Sequence, residues 1–122
     1  MRNKICINKC LKCGNIVKVF NENVKIKCCD SQMEILKTNS TDASKEKHIP
    51  EYKIVEDEIF VTVNHPMDKE HFIEWIALVY ENREYIIHLY PEQNAECRFK
   101  YIPGSTIYAY CNKHGLWEKS VK

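Results

Sequence analysis

Cysteine is the feature that most constrains this chain. Five of its seven cysteines lie within residues 1–37, and four of those fall in two pairs, Cys10-Leu11-Lys12-Cys13 and Cys28-Cys29. A segment of that size buries too little apolar surface to hold a fold unaided; below roughly 40 residues a metal, disulfides or a partner surface is usually needed. Seven is odd, so a closed set of internal disulfides cannot use them all. The first six residues, Met1 to Cys6, carry positive charge with no apolar stretch behind them. Lys9 and Lys12 interrupt the next stretch and no small-residue cleavage site is evident, so a secretory signal is not expected. The longest uninterrupted apolar run, Trp75 to Tyr80, is far too short to span a membrane. The expected compartment is the reducing cytoplasm, where clustered cysteines bind metal more often than they form disulfides.

Cys10-Leu11-Lys12-Cys13-Gly14 reads as a metal knuckle, with Gly14 letting backbone amides turn in toward the sulfurs. Ile16-Val17-Lys18-Val19-Phe20 and Val24-Lys25-Ile26-Lys27 read as two strands joined by a turn at Asn21-Glu22-Asn23. Such a hairpin would return Cys28 and Cys29 beside the knuckle and gather four thiolates. Neighbouring side chains on a strand point to opposite faces, so both Cys28 and Cys29 can ligate only if the backbone bends there. A tetrahedral set of four sulfurs suits iron or zinc, and spacing alone does not choose between them. A redox-dithiol reading is weaker, because no βαβ pattern surrounds the pair. Cys6 stands outside the knuckle as a spare thiol.

The chain changes character near residue 37. Residues 1–37 hold eight Lys/Arg against three Asp/Glu, whereas the rest holds ten against 14 together with all five histidines. The expected organisation is a small metal-stapled β-hairpin module over 1–37, a polar Ser/Thr-rich linker over 38–46, and a second domain over 47–122. The overall charge of +1 offers no electrostatic case for a nucleic-acid or membrane partner. Beyond residue 50, Ile59, Val61 and Val63 alternate, as do Ile73, Trp75, Ala77 and Val79. Ala95, Cys97, Phe99 and Tyr101 share one face opposite Glu96, Arg98 and Lys100. Turn residues at 81–83, 91–94 and 103–104 punctuate these runs. About seven short strands at roughly ten-residue spacing indicate an all-β, immunoglobulin-like sandwich.

The histidines sit at His48, His65, His71, His88 and His114, most of them next to Pro, Gly or a strand end. Loops at one end of a sandwich gather ligands readily. Any one of these histidines alone would more often be surface or core. Their joint occurrence with Cys111, two residues intervening before His114, points to a second metal site. Neutral imidazoles favour Zn, Cu, Fe or Ni, and a thiolate adds a soft, electron-rich ligand. His88, mid-strand in Tyr85-Ile86-Ile87-His88-Leu89-Tyr90, is read as structural, and Cys97 as core packing.

Taken in order, Cys-x-x-Cys-Gly, Cys28-Cys29, Glu46-Lys47-His48-Ile49-Pro50, His65-Pro66-Met67 through His71 to Trp75, and Cys111-Asn112-Lys113-His114-Gly115-Leu116-Trp117 resemble the desulfoferrodoxin family of two-iron superoxide reductases. The resemblance spans roughly residues 8–118. It implies a desulforedoxin-like module whose Cys10, Cys13, Cys28 and Cys29 hold one iron. In the second domain His48, His65, His71 and His114 would form a square plane about another iron, with Cys111 axial and the sixth position open. Lys47 would draw superoxide toward that opening, and Glu46 would be the carboxylate able to ligate the ferric iron at rest. The implied reaction is one-electron reduction of superoxide to hydrogen peroxide without dioxygen release. It implies a rubredoxin-like electron donor and a homodimer as well. The competing readings are an iron electron carrier without a substrate and a structural zinc scaffold. Five candidate ligands in the second set are one too many for a closed four-coordinate zinc site.

Overall fold

The computed structural model describes residues 4–39 and 48–122. Glu46 and Lys47, and most of the expected linker, lie outside the described residues. The chain forms two compact units, one of Ile5–Lys37 and one built on Thr38–Lys122. Among the described residues there is no helix, and therefore none long and apolar enough to cross a membrane.

In the small unit β1 (Ile7–Lys9) is the middle strand of three, between β2 (Ile16–Lys18) and the two-residue β5 (Glu34–Ile35). A separate tight hairpin pairs β3 (Lys27–Cys28) with β4 (Ser31–Gln32). The pairing departs from the hairpin expected between residues 16–20 and 24–27. Ile16–Lys18 runs antiparallel to Ile7–Lys9, with Ile7 opposite Lys18, so it is the knuckle itself that reverses the chain. Asn21-Glu22-Asn23 does form a turn, where the Asn23 N–H donates to Asn21 Oδ1 at 2.9 Å, but it does not join paired strands. The core of this unit is small, with Ile5, Ile7, Cys10 and Met33 buried.

Among its described residues the large unit carries seven strands in two sheets. The three-stranded sheet has the order β10-β7-β6, formed by β6 (Glu51–Val55), β7 (Glu58–Thr62) and β10 (Glu96–Lys100). The four-stranded sheet has the order β12-β11-β8-β9, formed by β8 (Ile73–Tyr80), β9 (Arg83–His88), β11 (Thr106–Cys111) and β12 (Gly115–Ser120). Every pairing is antiparallel. The two sheets close on one core, in which Ile59, Val61 and Phe99 meet Ile76, Leu78, Ile107 and Ala109. Full burial of each of these side chains larger than alanine contributes on the order of 1.5–3 kcal/mol.

The alternation read for β7 and β10 holds: Ile59, Val61, Val63, Ala95 and Phe99 face inward, while Glu96, Arg98 and Lys100 are exposed. In β8 the inward set differs from the expected one. A bulge shifts the register between Tyr110 and Cys111, so that Tyr110 faces Trp75 but Cys111 faces Ile73. Ile73, Ile76 and Leu78 therefore join the core while Trp75, Ala77 and Val79 occupy the other face, which is also buried. Asn39, placed within the expected linker, is tied to β12: its N–H donates to Leu116 O, and its Oδ1 accepts from the Glu118 N–H.

Candidate metal centres

Antiparallel pairing sets the site in the large unit. The start of β6 lies beside the end of β7, and the start of β8 beside the end of β11. His48 precedes β6, His65 follows β7, His71 precedes β8, Cys111 ends β11, and His114 lies in the turn before β12. One end of the sandwich thus collects all five side chains, and their ligand atoms lie within 4.8 Å of one another.

The four imidazoles close into a ring in the order 48, 65, 71, 114. Successive centroids are 4.7 Å apart for His48–His65, 4.6 Å for His65–His71, 4.9 Å for His71–His114 and 4.9 Å for His114–His48. Cys111 Sγ is 3.4 Å from His65 Nε2 and 3.8 Å from His114 Nδ1. His48 Nε2 is 3.1 Å from the same Nδ1 of His114. His65, His48 and His114 therefore turn Nε2, Nε2 and Nδ1 inward. His114, only three residues beyond Cys111, presents its nearer ring nitrogen.

Support for these rings comes from groups that the sequence leaves unmarked. His65 Nδ1–H donates to Pro66 O at 2.6 Å, which fixes the tautomer and leaves Nε2 as an acceptor turned to the site. The Trp117 indole stacks on His48 with centroids 4.9 Å apart and donates from Nε1 to His114 O at 3.1 Å. Asn112 reaches back to the segment carrying His71. Only the shared string Cys-Asn-x-His-Gly-Leu-Trp marks Trp117 and Asn112 in the sequence. A backbone carbonyl such as that of Pro66 leaves no residue signature at all.

The electrostatics suit a cation. Burial is the main cause holding His65 down to about 4, opposed by the Pro66 carbonyl and reinforced by His48, His71 and His114. His71 is lowered too, by burial first and then by His114, His48 and Lys113. At neutral pH both are neutral and able to donate lone pairs. His71 Nε2 is buried without a hydrogen-bond partner, and buried polar atoms in that condition call for an explanation. A metal at the centre of the five donors supplies one.

In the small unit the sulfurs of Cys10, Cys13, Cys28 and Cys29 also lie within 4.8 Å of one another. Cys13 and Cys28 are 3.6 Å apart, and Cys28 and Cys29 are 3.9 Å apart. The bend required for adjacent ligands is a turn of left-handed residues, Cys29 at φ 55° and Asp30 at φ 60°, closing the β3–β4 hairpin. Gly14 takes φ 80°, but its N–H closes the turn on Cys10 O at 2.8 Å; the amide that reaches Cys10 Sγ is that of Cys13, at 3.5 Å. That Cys13 amide is the main cause pulling Cys10 down to about 6. Cys28 is pushed up to about 12, first by its hydrogen bond with Cys10 and then by that with Cys13. Four thiols crowded together cannot all ionise unless a cation takes the place of their protons.

His88 is the last residue of β9, exposed and opposite Trp75 rather than mid-strand; it belongs to neither cluster. Cys97 packs on the core as expected, and burial raises it to about 12.

Comparison with known proteins decides the family. The Desulfoferrodoxin family model matches residues 40–120. A desulfoferrodoxin of Syntrophotalea carbinolica is 41% identical over 122 residues, covering 96% of this chain and 97% of that one. The chain belongs to the desulfoferrodoxin family. A Pyrococcus horikoshii protein named superoxide reductase is 35% identical over 106 residues, covering 68% of this chain and 92% of that one. Among solved structures, the superoxide reductase from Treponema pallidum superposes with a TM-score of 0.72 at 25% identity, covering 93% of this chain and 98% of that one. The two donor sets, one of four sulfurs and one of four imidazoles with a thiolate, fit the two iron sites of a desulfoferrodoxin.

Proposed function

We propose that the protein is a superoxide reductase that converts superoxide, with one electron and two protons, to hydrogen peroxide and releases no dioxygen. The observation that carries the reading is the closed ring of four imidazoles with Cys111 Sγ against two of them. Five donors of this kind leave a six-coordinate ion one position for substrate, which neither a structural zinc site nor a carrier needs. Iron held there would supply the electron, with the Cys111 thiolate raising its electron density as thiolate ligands do in haem proteins.

The remaining steps belong to the chain. His65 and His71 stay neutral at physiological pH and so keep lone pairs available. Lys47, adjacent to His48 in sequence, attracts the small anion and raises its encounter rate. Glu46 would supply a carboxylate able to ligate the bound ion. Cys10, Cys13, Cys28 and Cys29 would hold the second iron in a desulforedoxin-like module over residues 1–37, joined through 38–46 to the reductase domain over 47–122. Because no dioxygen is made, an outside reductant must restore the electron, and a rubredoxin-like carrier is the donor proposed. A homodimer in the cytoplasm completes the reading.

Rapid mixing tests it. Reduced, iron-loaded protein meeting a pulse of superoxide should develop a ferric–thiolate band, with peroxide formed and no dioxygen. A flat spectrum with iron in both sites would overturn the reading and favour an electron carrier.

A further inference from the structure

We infer that Asn112 is a positioning residue that locks His71 in register with the Cys111–His114 turn. The inference rests on the reading of the histidine–cysteine cluster as an iron site, and goes beyond it by assigning what holds the cluster together.

The β8–β11 ladder ends where Cys111 faces Ile73, just past the bulge. Beyond that point β11 turns away toward His114, and the segment before β8 would lose its pairing partner. Asn112 continues the ladder from a single residue. Its backbone N–H donates to Phe72 O at 3.3 Å, and its Oδ1 accepts from the Phe72 N–H at 3.1 Å. Its Nδ2 donates to Glu70 O at 3.0 Å. The side-chain amide thus takes the place of the peptide group that a longer strand would have provided. The residues before and after His71 are both tied to the neighbour of Cys111.

His71 has little else to hold it. The 68–71 turn closes on itself, with the Asp68 N–H donating to His71 O and the His71 N–H to Asp68 O, but those bonds do not reach β11. The His71 Nε2 is buried with no partner of its own. Its placement among the other four donors therefore depends on the backbone around it, and past the Cys111–Ile73 pair it is Asn112 that ties that backbone to the Cys111 side. Groups that orient ligands in this way typically change metal affinity by about 10–100-fold when removed.

The test uses full-length protein and ferrous iron. Asn112→Ala should weaken iron retention at the histidine–cysteine site by roughly 10–100-fold in chelator competition, read from the ferric–thiolate band after oxidation. The four-sulfur iron spectrum, read in the same sample, should not move. In metal-free protein, amide exchange at Phe72 should quicken at least tenfold in Asn112→Ala. Asn112→Asp keeps the acceptor for the Phe72 N–H but sets a carboxylate oxygen against Glu70 O in place of the donor, so it should restore slow exchange at Phe72 only in part. Tyr101→Phe serves as a stability control, because it removes a side-chain bond to Lys122 O within the same unit. Equal iron retention in Asn112→Ala and the parent, or an equal loss in Tyr101→Phe, would overturn the inference. If the parent forms the thiolate band but does not reduce superoxide, the functional reading fails, while the Asn112 comparison still stands or falls on its own.

Discussion

His48 stacks on Trp117, with ring centroids 4.9 Å apart and planes 26° from parallel. The indole Nε1–H of the same tryptophan donates to His114 O, so one fully buried side chain steadies two neighbouring members of the imidazole ring. Trp117→Phe keeps an aromatic face against His48 but drops the bond to His114 O and leaves a smaller void, at a cost of about 1–3 kcal/mol. Trp117→Ala removes both and leaves a cavity, costing about 3–5 kcal/mol. Urea unfolding of the two variants should follow that order, with iron lost from the histidine site before the four-sulfur site. An alanine variant as stable as the phenylalanine one would show that the stack contributes nothing.

Cys111 is fully buried at the end of β11, within hydrogen-bond range of two imidazoles. Cys111→Ser removes the sulfur while keeping a small polar group in its place. The ferric–thiolate colour should vanish, and the spectrum of the four-sulfur iron should persist. Loss of both spectra together would mean that the two centres are not separately held, contrary to the division of the chain into two compact units.

Lys47 is adjacent to His48 in sequence but outside the described residues, and its role rests on chemistry. Lys47→Ala should lower the second-order rate with superoxide by roughly tenfold or more, and raising ionic strength should shrink the difference. Both iron spectra should be unchanged, since no ligand is touched. A variant as fast as the parent at low salt would remove Lys47 from the mechanism.

The metal-free large unit should lose stability in mild acid. His65 is held down to about 4 by burial, against 6.5 for an ordinary histidine. The unfolded chain therefore takes up a proton at this side chain that the folded chain refuses until about pH 4. Stability from this source is complete above about pH 6.5 and is lost as pH falls toward 4, with His71 acting in the same direction. Urea midpoints at pH 7, 5.5 and 4.5 should fall in sequence, and the fall should be smaller in His65→Gln. Equal midpoints across that range would show that His65 titrates normally.

Both donor sets were legible in the sequence because Cys and His are scarce, and because their spacing around turns survives any detail of packing. Strand pairing was harder to read. Ile16–Phe20, an Asn-rich turn and Val24–Lys27 imitate a hairpin, whereas the true partner of Ile16–Lys18 is Ile7–Lys9, hidden among lysines and cysteines. In β8 both faces are buried, so periodicity could not tell which set faced the core, and the bulge at Tyr110/Cys111 decided it. What the supports of the site do stayed invisible for a different reason. Asn112 acts through backbone groups of Phe72 and Glu70, and His65 through a carbonyl, contacts that exist only once the chain has folded.

The Cys28–Cys29 bend yields a last prediction. Cys29 and Asp30 both adopt left-handed backbone, φ 55° and 60°, which places the two adjacent sulfurs on one site. Residues with a Cβ adopt that conformation at a cost of roughly 1–2 kcal/mol, while glycine does so freely, and glycine at the second position of such a hairpin turn is strongly favoured. Asp30→Gly should therefore slow the loss of iron from the four-sulfur site to a chelator. Asp30→Val, β-branched and ill suited to positive φ, should hasten it. Neither change should move the ferric–thiolate band of the other unit. Identical release rates in both variants would mean that the loaded hairpin does not keep this left-handed turn.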